Sequence, residues 1–425
     1  MQKESAFNMA SSNIRFGPGA TREIGMELAD MGAEHVMVVT DPAVSKMAPV
    51  STALASLEDE KVRYTLFDRA RVEPTDTSFR EAIAFADANP CDAFVAIGGG
   101  SAMDTAKVAN LYSAHPADLF DYVNVPIGKG KPVPGPLKPL IAVPTTSGTG
   151  SETTGVAIFD IEDMHAKTGI ASLRIKPTLG LLDPHNTRTL PAEVAASTGL
   201  DVLTHAVESY TAMPFTDRPK PDRPLLRPAY QGSNPISDTW ALHAMRMVAR
   251  FLVRAVEDPS DDEARGMMLL AASYAGVGFG NAGVHLAHGM SYPVSGMVRG
   301  YSQKGYNIDH PFIPHGMSVV LHAPAVFRFT APACPERHLE AAEALGADVA
   351  NAKKEDAGDI LSDCIAGLMR RLNVPNGLSG IGFTPDDIPA LVEGTLPQHR
   401  VTKLSPKAVD SEVLAKLFED AMTCW

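Results

Sequence analysis

Residues 93–110 read Ala-Phe-Val-Ala-Ile-Gly-Gly-Gly-Ser-Ala-Met-Asp-Thr-Ala-Lys-Val-Ala-Asn, and this stretch decides the fold. The first five residues are short and apolar, as a parallel strand covered on both faces requires. Gly98, Gly99, Gly100 and Ser101 interrupt the run, and residues 102–110 read as a helix. Glycine lets a ligand approach the backbone closely, and a helix N-terminus offers free N–H groups at a positive dipole end. A strand, a glycine turn and a helix in that order form a cradle for a diphosphate. A plain tight turn has the same composition.

The pattern repeats outward. Strands are predicted at 35–40, 62–67, 140–143 and 180–183, with helices between them, for example 51–60 and 78–88. Alternating strands and helices imply a doubly wound α/β sheet that binds its ligand at the strand C-termini. Beyond Asp183 strand signals fade. Helices are predicted at 192–213, 237–256, 262–278, 339–345, 356–372 and 411–422. The expected organisation is an α/β dinucleotide-binding domain over residues 1–190 and an all-helical, metal-binding domain over 191–425. Residues 127–139 and 214–235 are Pro-rich excursions, and 299–309 is a polar one. Gly278-Phe-Gly-Asn-Ala-Gly283 matches the dinucleotide fingerprint, but no strand precedes it. It reads as close helix packing or a helix end.

Two more features support a nucleotide. Pro144-Thr-Thr-Ser-Gly-Thr-Gly-Ser-Glu152 again follows a strand directly, and its hydroxyls suit phosphate, ribose or amide contacts. Thr40-Asp41 ends another strand. The Asp41 carboxylate suits a ribose hydroxyl and would repel a 2′-phosphate, which favours NAD over NADP. A helix cap before Pro42 is the simpler role for such an Asp.

The second half carries Gly199-Leu-Asp-Val-Leu-Thr-His-Ala-Val-Glu-Ser-Tyr210, which reads as a buried helix. Asp201 and His205 are four apart and share one face. His288, in His-Gly-Met-Ser-Tyr, and His315, in Ile-Pro-His-Gly, each stand beside a glycine. One Asp and three His make a donor set for a first-row ion, with Fe²⁺ and Zn²⁺ both fitting. The same residues also suit buried hydrogen bonding.

The totals narrow the classes. The 425 residues are enough for two domains, and a net charge of -13 argues against a nucleic-acid partner. No run reaches the ~18 apolar residues of a membrane span. The four cysteines show no C-x-x-C spacing and fit inert thiols in a reducing compartment. The first ten residues show no targeting signal, so a cytoplasmic protein is expected, or a mitochondrial matrix protein if a presequence has been removed.

In order along the chain, Gly-Gly-Gly-Ser-x-x-Asp-x-x-Lys (98–107), the 144–152 loop, Thr198–Glu208, His-Gly-Met (288–290) and Pro-His-Gly (314–316) resemble the iron-containing (group III) alcohol dehydrogenases. The resemblance implies a dinucleotide-binding α/β domain, an all-helical domain and a homo-oligomer. It implies Asp201, His205, His288 and His315 as metal ligands, with Fe²⁺ as the ion expected ahead of Zn²⁺. It places Asp41, Gly99, Gly100, Ser101, Asp104, Thr145, Thr146, Thr149 and Lys167 at the NAD site. Residues 121–132, 227–238, 306–316 and 395–404 resemble a branch of the family that passes hydride from a hydroxy acid to an oxo acid through a retained nicotinamide. For that branch the substrates implied are 4-hydroxybutyrate and 2-oxoglutarate. An alcohol dehydrogenase with a freely exchanging cofactor is the alternative. Many family members have a histidine four residues after the third ligand; here that place is Tyr292. Its hydroxyl could act in catalysis, or the ring could simply pack. The acid substrates require a cation, sought among Arg299, Lys304, Arg400 and Lys403.

Overall fold

Val36, Val38, Val95, Ile97, Ile141 and Val143 are buried in one cluster, and Met37, Val39, Phe94, Ala96, Leu140 and Ala142 in another. Alternate strand residues face opposite sides, so these clusters are the two covered faces of one sheet. They are seen in a computed structural model describing residues 2–164, 166–306, 308 and 310–425. The strands are β1 (Asn13–Phe16), β2 (His35–Val39), β3 (Arg63–Phe67), β4 (Ala93–Gly98), β5 (Leu140–Pro144), β6 (Val156–Ile161), β7 (Ala166–Ala171) and β8 (Leu179–Leu182). Six form a sheet in the order β1-β8-β5-β4-β2-β3, with every neighbouring pair parallel. β6 and β7 form a separate antiparallel ribbon.

Helices α1 (Ile24–Asp30), α2 (Ala48–Asp59), α3 (Asp76–Ala88), α4 (Gly100–Ala114) and α5 (Leu119–Tyr122) lie between the strands. Ile24, Leu28, Val50 and Leu57 of α1 and α2 join the first cluster, while Ala82, Ala86, Ala102 and Ala106 of α3 and α4 join the second. This is the doubly wound α/β unit expected, spanning Ala10–Leu190. β1 and the β6–β7 ribbon were not anticipated.

Pro191–Trp425 and Met1–Met9 form the other unit. The first residues therefore leave the α/β unit to which sequence order had given them. Glu4 accepts hydrogen bonds from Arg227 at 2.9 and 3.1 Å, and Asn8 and Gln231 bond reciprocally at 2.8 and 2.9 Å. The helices are α6 (Ala192–Thr211), α7 (Pro235–Glu257), α8 (Asp262–Ala282), α9 (Leu286–Met297), α10 (His315–Val320), α11 (Ala323–Thr330), α12 (Pro335–Ala344), α13 (Ala357–Arg371), α14 (Ile388–Thr395), α15 (His399–Thr402) and α16 (Ser411–Asp420). Their starts are chemically marked. Asn234 accepts N–H bonds from Ile236 and Ser237 at α7, and Asp261 accepts from Ala264 at α8.

The Gly278–Gly283 stretch ends α8, and no strand precedes it. Asn307 and Asp309 of the polar excursion lie outside the described residues. No single helix among the described residues is long and apolar enough to cross a membrane; α8 and α9 pass only as a pair bent by 103°.

Candidate functional site

Two groups of polar residues stand out, one in each unit. The first lies where β2, β4 and β5 end side by side. Thr145 N–H donates to the Gly98 carbonyl at 2.9 Å, so the 144–152 loop begins against the glycine turn. A Cβ added at Gly100 would lie 2.7 Å from Thr149 Cγ2, and one at Gly99 would lie 3.5 Å from Thr146 Oγ1. At Gly98, with φ of +155°, an added Cβ would meet Ala102 Cβ at 2.8 Å and Asp41 Oδ2 at 3.5 Å. A side chain is excluded at Gly100 by Thr149 and at Gly98 by Ala102, while the contact at Gly99 is an ordinary one. Asp41 Oδ1 accepts the N–H groups of Ala43 and Val44, the cap that its sequence position also allowed, and Oδ2 faces Gly98. No side chain caps the start of α4, which leaves its first N–H groups available to an anion.

Asp41, Gly99, Gly100, Ser101, Thr145, Thr146 and Thr149 are thus brought together. Asp104 and Lys167 are used differently. Asp104 accepts from Ser151 Oγ at 2.6 Å, Lys107 Nζ at 3.2 Å and Ile158 N–H at 2.9 Å. Lys107, fully buried, also donates to Ser151 Oγ and to the Val156 carbonyl. Burial pushes its ammonium pKa down against the opposing pull of Asp104. Buried Lys167 bonds Glu73 and Asp160. Burial alone would lower its pKa, but these two carboxylates raise it. Glu73 N–H in turn donates to Ser101 Oγ at 3.2 Å. These charges hold the loops in shape from behind.

The second group is built on α6. Asp201, His205 and Glu208 recur at helical spacing on one buried face. His288 comes from α9, and His315 opens α10. One donor atom from each of Asp201, His205, His288 and His315 lies within 4.8 Å of the other three. Asp201 Oδ1 is 3.7 Å from His288 Nε2 and 3.9 Å from His315 Nε2, and Asp201 Oδ2 is 3.7 Å from His205 Nδ1. Gly316 makes this approach feasible, since a Cβ there would strike the Ser197 carbonyl at 2.2 Å and Asp201 Cβ at 2.7 Å. The His205 ring is stacked between Phe279 at 3.9 Å and His288 at 4.6 Å.

Three of the converging atoms have no hydrogen-bond partner. Asp201 Oδ1, His205 Nδ1 and His288 Nε2 are buried and make no hydrogen bond. Buried polar atoms are nearly always satisfied, so three orphans pointing at one spot fit a cation. The electrostatics agree at Asp201 and His205. Burial would raise the Asp201 pKa, but His205, His315 and His288 hold it well below the carboxylate range. Burial brings His205 down to about 3, against the pull of Asp201, leaving a neutral imidazole with a lone pair to give. Burial would lower His288 as well, but Glu208 and Asp201 raise it to about 9.

Glu208 was not anticipated as a site residue, although its spacing from Asp201 and His205 was visible. It is fully buried and accepts from the Ala287 N–H at 2.6 Å and from His288 Nδ1. Burial would raise its pKa, but His285 and His288 bring it down to about 2. The bond at Nδ1 fixes the ring of His288 and turns Nε2 toward the cluster, as a carboxylate behind a metal-ligating histidine does. Tyr292, only 6% exposed, stands beside His315 with ring centroids 6.5 Å apart. Its hydroxyl accepts from Arg400 Nη2 at 3.0 Å. Of the other cations sought, exposed Arg299 pairs with Asp387 at 3.2 Å, and Lys304 and Lys403 are exposed.

The sequence profile of the iron-containing alcohol dehydrogenases matches residues 11–184, and that of the Fe-containing alcohol dehydrogenase family, C-terminal, matches 229–422. The chain belongs to the iron-containing alcohol dehydrogenase family. Among relatives, it is 61% identical to the mitochondrial hydroxyacid-oxoacid transhydrogenase of Xenopus tropicalis over 421 residues, covering 99% of this chain and 91% of the frog protein. Its fold is similar to that of a 1,3-propanediol oxidoreductase, with TM-score 0.85, 28% identity, and 98% of this chain and 100% of the other covered. It is also similar to a sulfoacetaldehyde reductase from Bifidobacterium kashiwanohense solved with NAD⁺, with TM-score 0.79, 27% identity and 99% of both chains covered. An iron-containing alcohol dehydrogenase needs a nucleotide site and a cation site. The strand-end cradle has the chemistry of the first, and the four-residue cluster has that of the second.

Proposed function

We propose that the protein is a metal- and NAD-dependent hydroxyacid–oxoacid transhydrogenase. It oxidises 4-hydroxybutyrate to succinic semialdehyde and reduces 2-oxoglutarate to 2-hydroxyglutarate, with one nicotinamide retained throughout. The near full-length 61% identity to a transhydrogenase carries this reading. The convergence of Asp201, His205, His288 and His315 supports the metal dependence.

In this reading those four residues hold a divalent ion, Fe²⁺ or Zn²⁺. Such an ion supplies Lewis acidity, and NAD supplies a hydride acceptor that becomes the donor in the second half-reaction. The chain does the positioning. Glu208 keeps the Nδ1 proton of His288 in place, and Asp201 provides the negative charge that a cation site needs. The glycine turn and the start of α4 receive the diphosphate, Asp41 Oδ2 a ribose hydroxyl, and Thr145, Thr146 and Thr149 the remaining polar groups. Asp104 and Lys167 brace that surface. Tyr292, whose ring lies beside that of His315, carries a hydroxyl that can hold or pass a proton. The frog relative is named as mitochondrial, which favours the matrix over the cytoplasm as the location. The proposed assembly is a homo-oligomer, which light scattering would read as a multiple of the chain mass.

The deciding experiment uses purified protein without added nucleotide, supplied with 4-hydroxybutyrate and 2-oxoglutarate. Equal amounts of succinic semialdehyde and 2-hydroxyglutarate are expected. Turnover that requires added NAD and accumulates NADH without an oxo acid would instead identify an ordinary alcohol dehydrogenase.

A further inference from the structure

Arg400 is a half-buried cation without a carboxylate. Among the described residues no Asp or Glu lies within ion-pair distance of it, and its Nη1 is buried without a hydrogen-bond partner. Its guanidinium is held by two aromatic arms. Nη2 donates to Tyr292 at 3.0 Å, and the guanidinium carbon lies 5.0 Å from the Tyr230 ring centroid. Both arms lead to the cluster. Tyr292 flanks His315, and Tyr230 meets Phe279 edge-on at 6.5 Å, with Phe279 stacked on His205. A further contact fixes the approach of α15. A Cβ added at Gly289, next to His288, would lie 2.8 Å from Thr402 Cγ2 and 3.4 Å from Val401 Cγ2. A desolvated guanidinium lacking a counter-ion is costly, and a planar carboxylate matches its donor fork.

Resting on the transhydrogenase reading, we infer that Arg400 binds the carboxylate of both substrates, with Tyr292 and Tyr230 holding its guanidinium in place. The substrate chemistry explains how one residue serves two half-reactions. In 4-hydroxybutyrate the carboxylate carbon is three bonds from the carbon that loses hydride. In 2-oxoglutarate the distal carboxylate carbon is three bonds from the carbon that receives it. One anchor at a fixed distance from the cluster therefore positions both reacting carbons alike.

The test compares kcat/KM for 4-hydroxybutyrate with that for 1-butanol, and for 2-oxoglutarate with that for 2-oxobutyrate, which lacks the distal carboxylate. In Arg400→Leu both ratios are expected to fall by about 100-fold, as loss of a charge-assisted bidentate contact implies. The fall should appear in KM for the acids. Arg400→Lys should recover part of each ratio, and Arg299→Leu, changed at a surface ion pair, should leave both as they were. Thermal melts of each variant check folding. If wild-type protein prefers the acids and Arg400→Leu keeps that preference in full, the Arg400 assignment is wrong and the transhydrogenase reading stands. If wild-type protein shows neither the preference nor the exchange reaction, the reading fails and the assignment falls with it.

Discussion

The strand-end cradle and the four-residue cluster are both rich in buried polar groups, yet they treat them in opposite ways. Behind the cradle, Asp104, Lys107 and Lys167 are bonded to protein partners. In the cluster, Asp201 Oδ1, His205 Nδ1 and His288 Nε2 have none. A satisfied buried charge is framework, since it holds loops whose own N–H groups and hydroxyls meet the ligand. An orphaned buried atom costs stability unless something absent from the chain completes it. The two regions should therefore fail differently when changed.

The largest contrast is expected at His288. His288→Ala should abolish metal retention and lower turnover by at least about 1000-fold, several kcal/mol of lost Lewis-acid stabilisation, while the metal-free protein stays folded. Elemental analysis beside a melt reads both, and full metal occupancy in the variant would remove His288 from the ligand set. Lys107→Met should do the reverse. It should cost about 3 kcal/mol of stability by breaking a buried charged network while metal content stays constant. Denaturant unfolding that shows no loss would mean that Lys107 is not framework.

Glu208→Gln sharpens the comparison, because Glu208 is satisfied itself but serves an orphan. Metal affinity should drop about 10- to 100-fold without unfolding, measured by competition with a chelator. Unchanged affinity would reduce Glu208 to a packing role.

The smallest effect concerns Asp183, which follows β8. It accepts N–H bonds from Gly19, Thr21 and His185, as well as the Thr21 hydroxyl. Burial would raise its pKa, but these donors hold it below the ordinary 3.8. A carboxyl with a depressed folded-state pKa stabilises the protein above the unfolded value, and that stability is lost as pH falls through the folded one. Asp183→Asn should therefore lower stability near neutrality and flatten the acid limb below about pH 4 in pH-dependent unfolding. An acid limb identical to wild type would contradict this.

Much of the framework was legible because burial on two faces leaves continuous apolar strands. β2, β4, β5 and β8 were all visible within a residue or two. β1 escaped because Asn13–Phe16 is mostly exposed, and the β6–β7 ribbon because Asp160, Lys167 and Gly169 break its apolar pattern. Helix α9 was hidden by Pro293 in its interior, and α10 by its brevity. In the cluster, the spacing of Asp201 and His205 was local and readable. Their meeting with His288 and His315 depends on packing across more than eighty residues. Glu208 shared the readable spacing, but only the fold shows it behind His288. Asp104 and Lys167 sit in or near recognisable motifs, and only their partners reveal that they face inward.

The contact of Gly289 with Thr402 has a consequence for selectivity. On the Arg400 assignment, the cluster and the anchor form the two ends of a ruler, and this glycine sets its length. Gly289→Ala would move α15 without touching any group that binds substrate, so a series of hydroxy acids differing by one methylene should show a changed preferred length. Chain-length choice in this enzyme would then be written in a backbone contact, at a position where the substrate itself leaves no trace.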